Sequence, residues 1–253
     1  MPEERRDPMR AAQANMRPPT LRRFYQRAEV AAAAVGGFAI KLDGRPVRTP
    51  GKRPLVAPTR AIADLIAAEW TAQGETIEPM SMPATRLANS AIDGVADAPA
   101  ATRAEIAKYA AADHVCYRAE GPEALVARQA EACDPVLAWA RDRLGARFVT
   151  TVGVAHVAQP EAALAVARAA IEAYADPFAI AALHVMTSLT GSLLIALMTA
   201  EGALTAEQAW QAAHVDEDFQ IARWGEDDEA KRRRAARWRD FEAAARVTAA
   251  AGL

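Results

Sequence analysis

Apolar positions in the first part of the chain are grouped into short runs that turn-forming residues separate. Residues 38–42 form one such run, and the pair Asp43-Gly44 follows it before the next run begins. An Asp-Gly pair between two short runs is a strong hairpin signal. Thr59 then precedes apolar positions at helical spacing that continue to Gly74. This part is therefore predicted to be a small β-rich unit with one capped helix.

From Pro83 onward the apolar positions recur at helical spacing, and prolines or glycines mark the breaks between segments. The only strand-like interruption is residues 147–154. We predict an α+β fold with a mobile tail at 1–20, a β-rich N-terminal domain at 21–90 and a larger all-helical C-terminal domain at 91–253. The predicted helices are 84–96, 100–112, 122–144, 160–174, 177–200, 205–224 and 226–249.

The segment 177–200 carries no formal charge and is long enough to cross a membrane. Polar residues dilute its centre, however, and no basic cluster flanks it to mark an inside. We therefore predict a buried central helix and no membrane association.

An unusual placement of acids occurs in the predicted helix 205–224. Trp210, Glu217 and Trp224 are spaced by seven residues, which places them on one helix face and puts an acid inside an apolar stripe. Glu217 belongs to the triplet Asp216-Glu217-Asp218, which has no lysine or arginine three or four residues away. Two interpretations remain open: the triplet meets a partner protein, or Glu217 forms an internal salt bridge with an arginine of another helix.

The next charged segment behaves differently. Asp227, Asp228 and Glu229 each stand four residues before a cation, in the order that favours helical ion pairs. Residues 231–239 combine a basic cluster with Trp238, a pattern that could also bind nucleic acid. Because the preceding acids neutralise several of these cations, we favour a self-paired, solvated helix and expect no nucleic acid as partner.

Composition narrows the functional classes. The chain has 253 residues, a formal net charge of -2 and a pI near 6.1, so no overall charge attracts it to nucleic acid or acidic membranes. Cys116 and Cys133 are the only cysteines, and we expect both to be reduced. No secretory signal or transit peptide is recognised, and high alanine and arginine usage favours a bacterial cytoplasmic protein.

Motifs for catalysis or cofactors are largely missing from the sequence. No phosphate-binding loop, dinucleotide fingerprint or nucleophile elbow is present. Residues 113–116 and Cys133 lack the paired spacing of a zinc site. We therefore predict no cofactor and no metal. A small-molecule enzyme that uses Asp216, Glu217 or His184 in an interdomain cleft remains the alternative, and a nucleic-acid-binding helical module is a third possibility.

Several segments of the chain together carry a family resemblance. They are Arg23-Phe24-Tyr25, Leu42 to Pro50, Ala68-Glu69-Trp70, Met82 to Asp93, Asp113 to Arg118, Asp134-Pro135 and Phe219 to Gly225. This set, over about residues 20–240, resembles the assembly chaperone of the F-type ATP synthase catalytic head that serves the alpha subunit in mitochondria and related bacteria. One departure is Cys133, because family members usually carry tryptophan before the Asp-Pro pair.

The resemblance implies a β-rich N-terminal domain, a helical C-terminal domain and a protein that is not an enzyme. It also implies binding of unassembled alpha subunit, which is kept soluble until the beta subunit replaces the chaperone. In the family an acidic residue just before the Phe-Gln-Ile motif matters for function, and Glu217 matches it best, with Asp216 and Asp218 next. We expect Trp210 and Trp224 to complete the partner-binding surface, and a monomeric chaperone.

Overall fold

The structure is a computed structural model, and it describes residues 21–34 and 36–252. The tail predicted at 1–20 lies outside these residues. Among the described residues, strands are confined to short segments and helices make up most of the chain after residue 83. The predicted α+β class is therefore confirmed.

A small antiparallel sheet forms the N-terminal part. It contains β2 (Ala28–Ala32), β3 (Phe38–Leu42), β4 (Arg45–Pro46) and β5 (Val56–Ala57), and β3 pairs with all three others. Asp43 and Gly44 both have positive φ, 47° and 78°, as the tight turn between β3 and β4 requires. The predicted hairpin is therefore confirmed.

One helix packs on this sheet. Helix α1 (Arg60–Thr71) begins after Thr59, whose hydroxyl accepts a hydrogen bond from the Ile62 amide at 3.2 Å. Two further strands, β1 (Leu21–Arg22) and β6 (Thr76–Ile77), pair antiparallel beside the N-terminal unit.

The remaining helices build the rest of the molecule. Helix α2 (Pro83–Ser90) widens into a π-helical turn at Ala91–Val95, and α4 (Glu123–Trp139) does the same at Ala140–Leu144. Strands β7 (Tyr117–Arg118) and β8 (Thr151–Val152) form a short parallel pair, so the predicted strand at 147–154 is found in shortened form. The helices are α2 (Pro83–Ser90), α3 (Pro99–Lys108), α4 (Glu123–Trp139), α5 (Glu161–Glu172), α6 (Pro177–Thr190), α7 (Leu193–Ala200), α8 (Ala206–Ala213), α9 (Val215–Trp224) and α10 (Asp228–Ala251).

Two predicted helices are each divided in two. The segment 177–200 breaks at Gly191, whose left-handed backbone (φ 66°, ψ 13°) ends α6, and the Ser192 hydroxyl then caps α7. The segment 205–224 breaks at His214 (φ -120°, ψ 23°), which separates α8 from α9. The prediction of one continuous helix was wrong in both places.

Helices α6 and α7 form the centre of the core. Leu183 and Leu194 are fully buried there, so the predicted burial of this segment is confirmed. The same apolar cluster extends from Ile40 in the sheet to Val247 in α10. Within the described ranges, no helix has both the length and the apolar character that crossing a bilayer requires.

Candidate partner-binding surface

The break at His214 determines how α9 is oriented. The imidazole ring lies against the Trp210 indole with centroids 3.8 Å apart, and Nδ1 donates to the Trp210 carbonyl oxygen at 2.8 Å. Nε2 then accepts from the Arg237 guanidinium at 3.4 Å. Burial lowers the pKa of His214, which favours the neutral ring that this pattern requires. The ring thus binds the Trp210 carbonyl, which the His214 amide no longer reaches because it bonds the Gln211 carbonyl.

Because of this break, Trp210 and Trp224 do not share a continuous helix face. Trp210 is only 7% exposed and packs against Trp238 and Phe241, with ring centroids 5.5 and 5.6 Å away. Trp224 is 75% exposed at the end of α9. The predicted stripe of Trp210, Glu217 and Trp224 on one helix was therefore wrong, although Glu217 and Trp224 still lie on one face of α9.

A side chain of α4 binds Asp216. The buried side chain of Gln129 donates from Nε2 to Asp216 Oδ1 at 2.7 Å, and its Oε1 accepts from the Ala119 amide at 2.7 Å. Burial lowers the pKa of His114, and the negative charge of Asp216 partly opposes that shift. Asp216 therefore anchors α9 to the rest of the helical part.

Asp218 is bound by α10. Its carboxylate forms a salt bridge with Arg234, whose side chain is 19% exposed. Helical spacing could not indicate this partner, because Arg234 is sixteen residues away and belongs to another helix. The internal salt bridge considered for Glu217 is not found among the described residues, whereas Asp218 forms one with Arg234.

Phe219 completes the inner side of α9. It is the one buried residue of this helix, and the guanidinium groups of Arg128 and Arg223 lie over its ring at 5.4 and 5.1 Å. Three contacts thus position the inner side of α9. Gln129 binds Asp216, Arg234 binds Asp218, and two guanidinium groups lie over Phe219.

Glu217 differs from its two neighbours. It is half-buried, and within the described part of the chain its carboxylate has no ion pair and no side-chain hydrogen bond. Ile221 and Trp224 follow at the fourth and seventh positions, on the same helix face. This face of Glu217, Ile221 and Trp224 is hereafter called the outer face of α9. It combines one unpaired acid with the half-buried Ile221 and the exposed Trp224.

The basic segment after α9 is only partly self-paired. Arg233 bonds Glu229 at 2.6 Å as predicted, whereas Asp227 caps α10 by accepting from the amides of Glu229 and Ala230. Arg234 and Arg237 make contacts with other helices. The prediction of three local ion pairs was therefore correct only for Glu229.

The other candidate residues lie in buried surroundings. Asp113 is fully buried and accepts from the amides of Val115 (3.2 Å) and Leu194 (3.1 Å), and burial raises its pKa to about 6. Cys116 and Cys133 are buried thiols, and burial raises their pKa to about 12 and about 11. In residues 21–34 and 36–252, no three His, Cys, Asp or Glu side chains gather as a metal site would require.

His184 is not brought to the acidic triplet. It lies on α6, where burial lowers its pKa and Glu105 of α3 is the acid that opposes the shift. No hydrogen bond in the described ranges joins His184 to residues 216–218. Sequence reasoning missed Gln129 and Arg234 as the residues that position α9, because both are distant in sequence from the acids that they bind.

Comparison with known proteins gives consistent matches. The family model described as ATP12 chaperone protein matches residues 22–141. A crystal structure of a candidate chaperone from Agrobacterium tumefaciens is 51% identical, with a TM-score of 0.88 over 97% of this chain and 91% of that one. The crystal structure of Atp12 from Paracoccus denitrificans is 42% identical, with a TM-score of 0.82 over 90% of this chain and 97% of that one.

A further structure, of an aspartate-to-lysine mutant of Atp12p from P. denitrificans, is 41% identical with a TM-score of 0.81. It also covers 90% of this chain and 97% of the mutant chain. Identities above 40% over nearly the full length of these solved structures identify the family as well as the fold, and they agree with the family model. The chain belongs to the ATP12 chaperone family.

Proposed function

We propose that this chaperone binds the unassembled alpha subunit of ATP synthase and keeps it soluble until the beta subunit takes its place. Family membership supports the coarser part, a role in ATP synthase assembly. The resemblance of the sequence motifs supports the finer part, the alpha subunit as client. The chaperone performs no catalysis in this role.

The outer face of α9 is the observation that carries the proposal. Asp216 and Asp218 each have an internal partner, whereas Glu217 has none in the described chain. Trp224 is 75% exposed beside it. An exposed tryptophan and a half-buried, unpaired carboxylate have no role in the core, and together they suit contact with another protein.

The physical chemistry of the face fits temporary binding. An orphan subunit exposes the apolar surface meant for its neighbour, and covering that surface prevents aggregation. A single acid within an apolar face can pair with an arginine of the client and disfavour other registers. Because the face is small, its affinity stays low enough for the beta subunit to displace it.

The two alternative functions have weaker support. An enzyme using Asp216, Glu217 or His184 would need these side chains to converge, and His184 lies on α6 beside α3, where Glu105 acts on it. A nucleic-acid module would need free cations at 231–239, but Arg233, Arg234 and Arg237 have internal partners. The bacterial cytoplasm and a monomeric state stay predictions.

The test is the Glu217→Lys variant in an aggregation assay with purified alpha subunit, followed by light scattering. We expect protection to be lost, because lysine would repel the client cation and introduce its own charge into the apolar face. Far-UV circular dichroism and thermal unfolding should match the wild type, since the Glu217 carboxylate has no ion pair or hydrogen bond among the described residues.

The matched control is Glu29→Lys, an equal charge reversal at an exposed residue of β2. It should protect the alpha subunit as well as the wild type does. If Glu217→Lys protects equally well, the outer face is not the binding surface. If it unfolds, Glu217 forms an internal salt bridge that supports the fold.

A pull-down from native lysate at low expression tests the client itself. Recovery of the alpha subunit without the beta subunit is expected. Recovery of the assembled complex, or of neither subunit, would contradict the proposal.

A further inference from the structure

A groove of about 380 Å³ opens between α8 and the first half of α10. Two indole rings and four charged side chains dominate its walls. These six residues are Glu207, Trp210, Glu226, Lys231, Arg234 and Trp238.

The groove contains an acid with an unfilled hydrogen-bonding requirement. Glu226 is half-buried, and its Oε1 is buried with no hydrogen-bond partner among the described residues. A buried carboxylate oxygen that lacks a donor is unfavourable, so native proteins rarely retain one. A donor that arrives with a partner would remove this cost.

The charge balance of the groove favours a cation. Glu207 and Glu226 form no ion pair with any described residue, and Lys231 is the one unpaired cation of the groove in that part of the chain. Arg234 also lines the groove, but its charge is already matched by Asp218. Two unpaired acids against one exposed lysine leave the groove net negative.

The aromatic walls favour a flat cation. Trp238 is half-buried and lines the groove, while Trp210 already has the Arg237 guanidinium 5.8 Å from its ring centroid. A guanidinium stacks on indole faces and pairs with carboxylates through its planar array of donors, which an ammonium cannot do. Arginine is also enriched among the residues that dominate protein interfaces.

We propose that this groove receives an arginine side chain of the client, with the guanidinium donating to Glu226 and lying over the Trp238 indole. The inference rests on the proposed function in one respect, that the arginine belongs to the client. The groove adjoins the outer face of α9, since Glu226 follows Trp224 by two residues and Arg234 holds Asp218 beside Glu217. A client could therefore contact both together.

In the experiment, the full chain carries ¹⁵N-labelled tryptophan. N-acetyl-arginine methylamide is then added as the titrant. The indole N–H of Trp238 should shift in a saturable way, with the weak affinity expected for a single side chain. The same titration with N-acetyl-citrulline methylamide, which keeps the shape but lacks the charge, should give binding at least about tenfold weaker. Trp70, which packs on Tyr25 in the N-terminal unit, serves as the internal reference.

Two variants locate the site. Glu226→Gln should weaken binding of the arginine probe about tenfold, because the guanidinium then meets a neutral amide. Glu229→Gln, an exposed acid of the first turn of α10, removes the same charge outside the groove and should leave binding unchanged. Equal binding of arginine and citrulline, no saturable shift, or an unaffected Glu226→Gln variant would each overturn the proposal.

A second measurement separates this proposal from the proposed function. Glu226→Gln should weaken binding of purified alpha subunit about tenfold with unchanged thermal unfolding. If the arginine probe binds and alpha-subunit binding is unaffected, the client does not use the groove and the proposal is overturned. If the wild-type chain fails to bind alpha subunit, the proposed function fails, and the probe titration decides on its own whether the groove takes arginine.

Discussion

Helices α7 and α9 are similar in length but are held in place by different means. Seven of the eight residues of α7 are buried, and the buried Asp113 binds an amide of its first turn. Among the ten residues of α9 a single one, Phe219, is buried, and side chains of α4 and α10 bind its acids. Apolar burial thus fixes α7, whereas polar anchors fix α9 and leave its outer face available to a partner.

The largest expected effect comes from truncating the core helix. Leu194→Ala should lower the free energy of unfolding by about 2–5 kcal/mol, because Leu194 is fully buried and the cavity cannot collapse completely. Chemical denaturation with urea measures this change. Ile221→Ala on the outer face of α9 is the matched truncation and should cost less than about 1 kcal/mol. Equal losses would mean that α9 is as deeply packed as α7.

The second effect is a change of stability with pH at Asp113, which accepts a hydrogen bond from an amide in the first turn of α7. Burial raises the pKa of Asp113 from 3.8 to about 6, so between these values the folded state binds more protons than the unfolded state. Stability from this group is therefore greatest in acid and falls as the pH rises from about 4 to about 6. The total change is about 3 kcal/mol, since one pKa unit corresponds to about 1.4 kcal/mol.

Urea unfolding of the wild type and Asp113→Asn between pH 4 and pH 7 measures this effect. Asparagine cannot ionise, so the wild type should lose stability relative to the variant across this window. Parallel curves would show that Asp113 ionises normally. Asparagine keeps one acceptor oxygen for two amides, which lowers stability by an amount independent of pH and does not alter the slope.

A smaller effect is expected when a polar anchor of α9 is removed. Asp218→Asn breaks the pair with Arg234 and should cost about 0.5–1 kcal/mol, because the Asp218 side chain is 41% exposed and solvent screens the attraction. Hydrogen exchange should accelerate in the amides of α9 and stay unchanged in α7. Equal acceleration of exchange in both helices would contradict the conclusion that α7 and α9 are held in place by different contacts.

The smallest effect on stability is expected at Trp224. Trp224→Ala should change the free energy of unfolding by no more than about 0.5 kcal/mol, because its side chain is 75% exposed. Binding of purified alpha subunit should nevertheless weaken at least tenfold if the outer face is used. Val154→Ala, another exposed apolar truncation, is the control and should leave binding unchanged. A large loss of stability at Trp224 would assign it to the fold.

Much of the architecture could be read from local patterns. The Asp43-Gly44 hairpin and the helix after Thr59 depend on residues adjacent in sequence, and both are present. The breaks at Gly191 and His214 were missed for different reasons. A glycine inside an apolar run is compatible with either the interior or the end of a helix. The His214 break depends on contacts of its ring with Trp210 and Arg237, which belong to two different helices.

At the candidate site, the sequence predicted the absence of a local partner for Glu217 but not the partners of its two neighbours. The lack of a helical partner for Glu217 was visible from spacing, and the described residues contain none. The partners of Asp216 and Asp218 are Gln129 and Arg234, which reach α9 only after the chain has folded. Helical spacing reports on pairs within one turn, so it could not distinguish the two anchored acids from the unanchored one.

The closure of the molecule by α10 has a consequence for its synthesis. Thr59 at the start of α1 donates its hydroxyl to the carbonyl of Ala250 at 2.8 Å, and α10 also packs on α2 and α6. The core is thus completed by a helix that is synthesised after α1 to α9, and Arg234, which anchors Asp218, belongs to that helix. We expect nascent or truncated chains that lack α10 to have no ordered α9, so that they cannot engage the client.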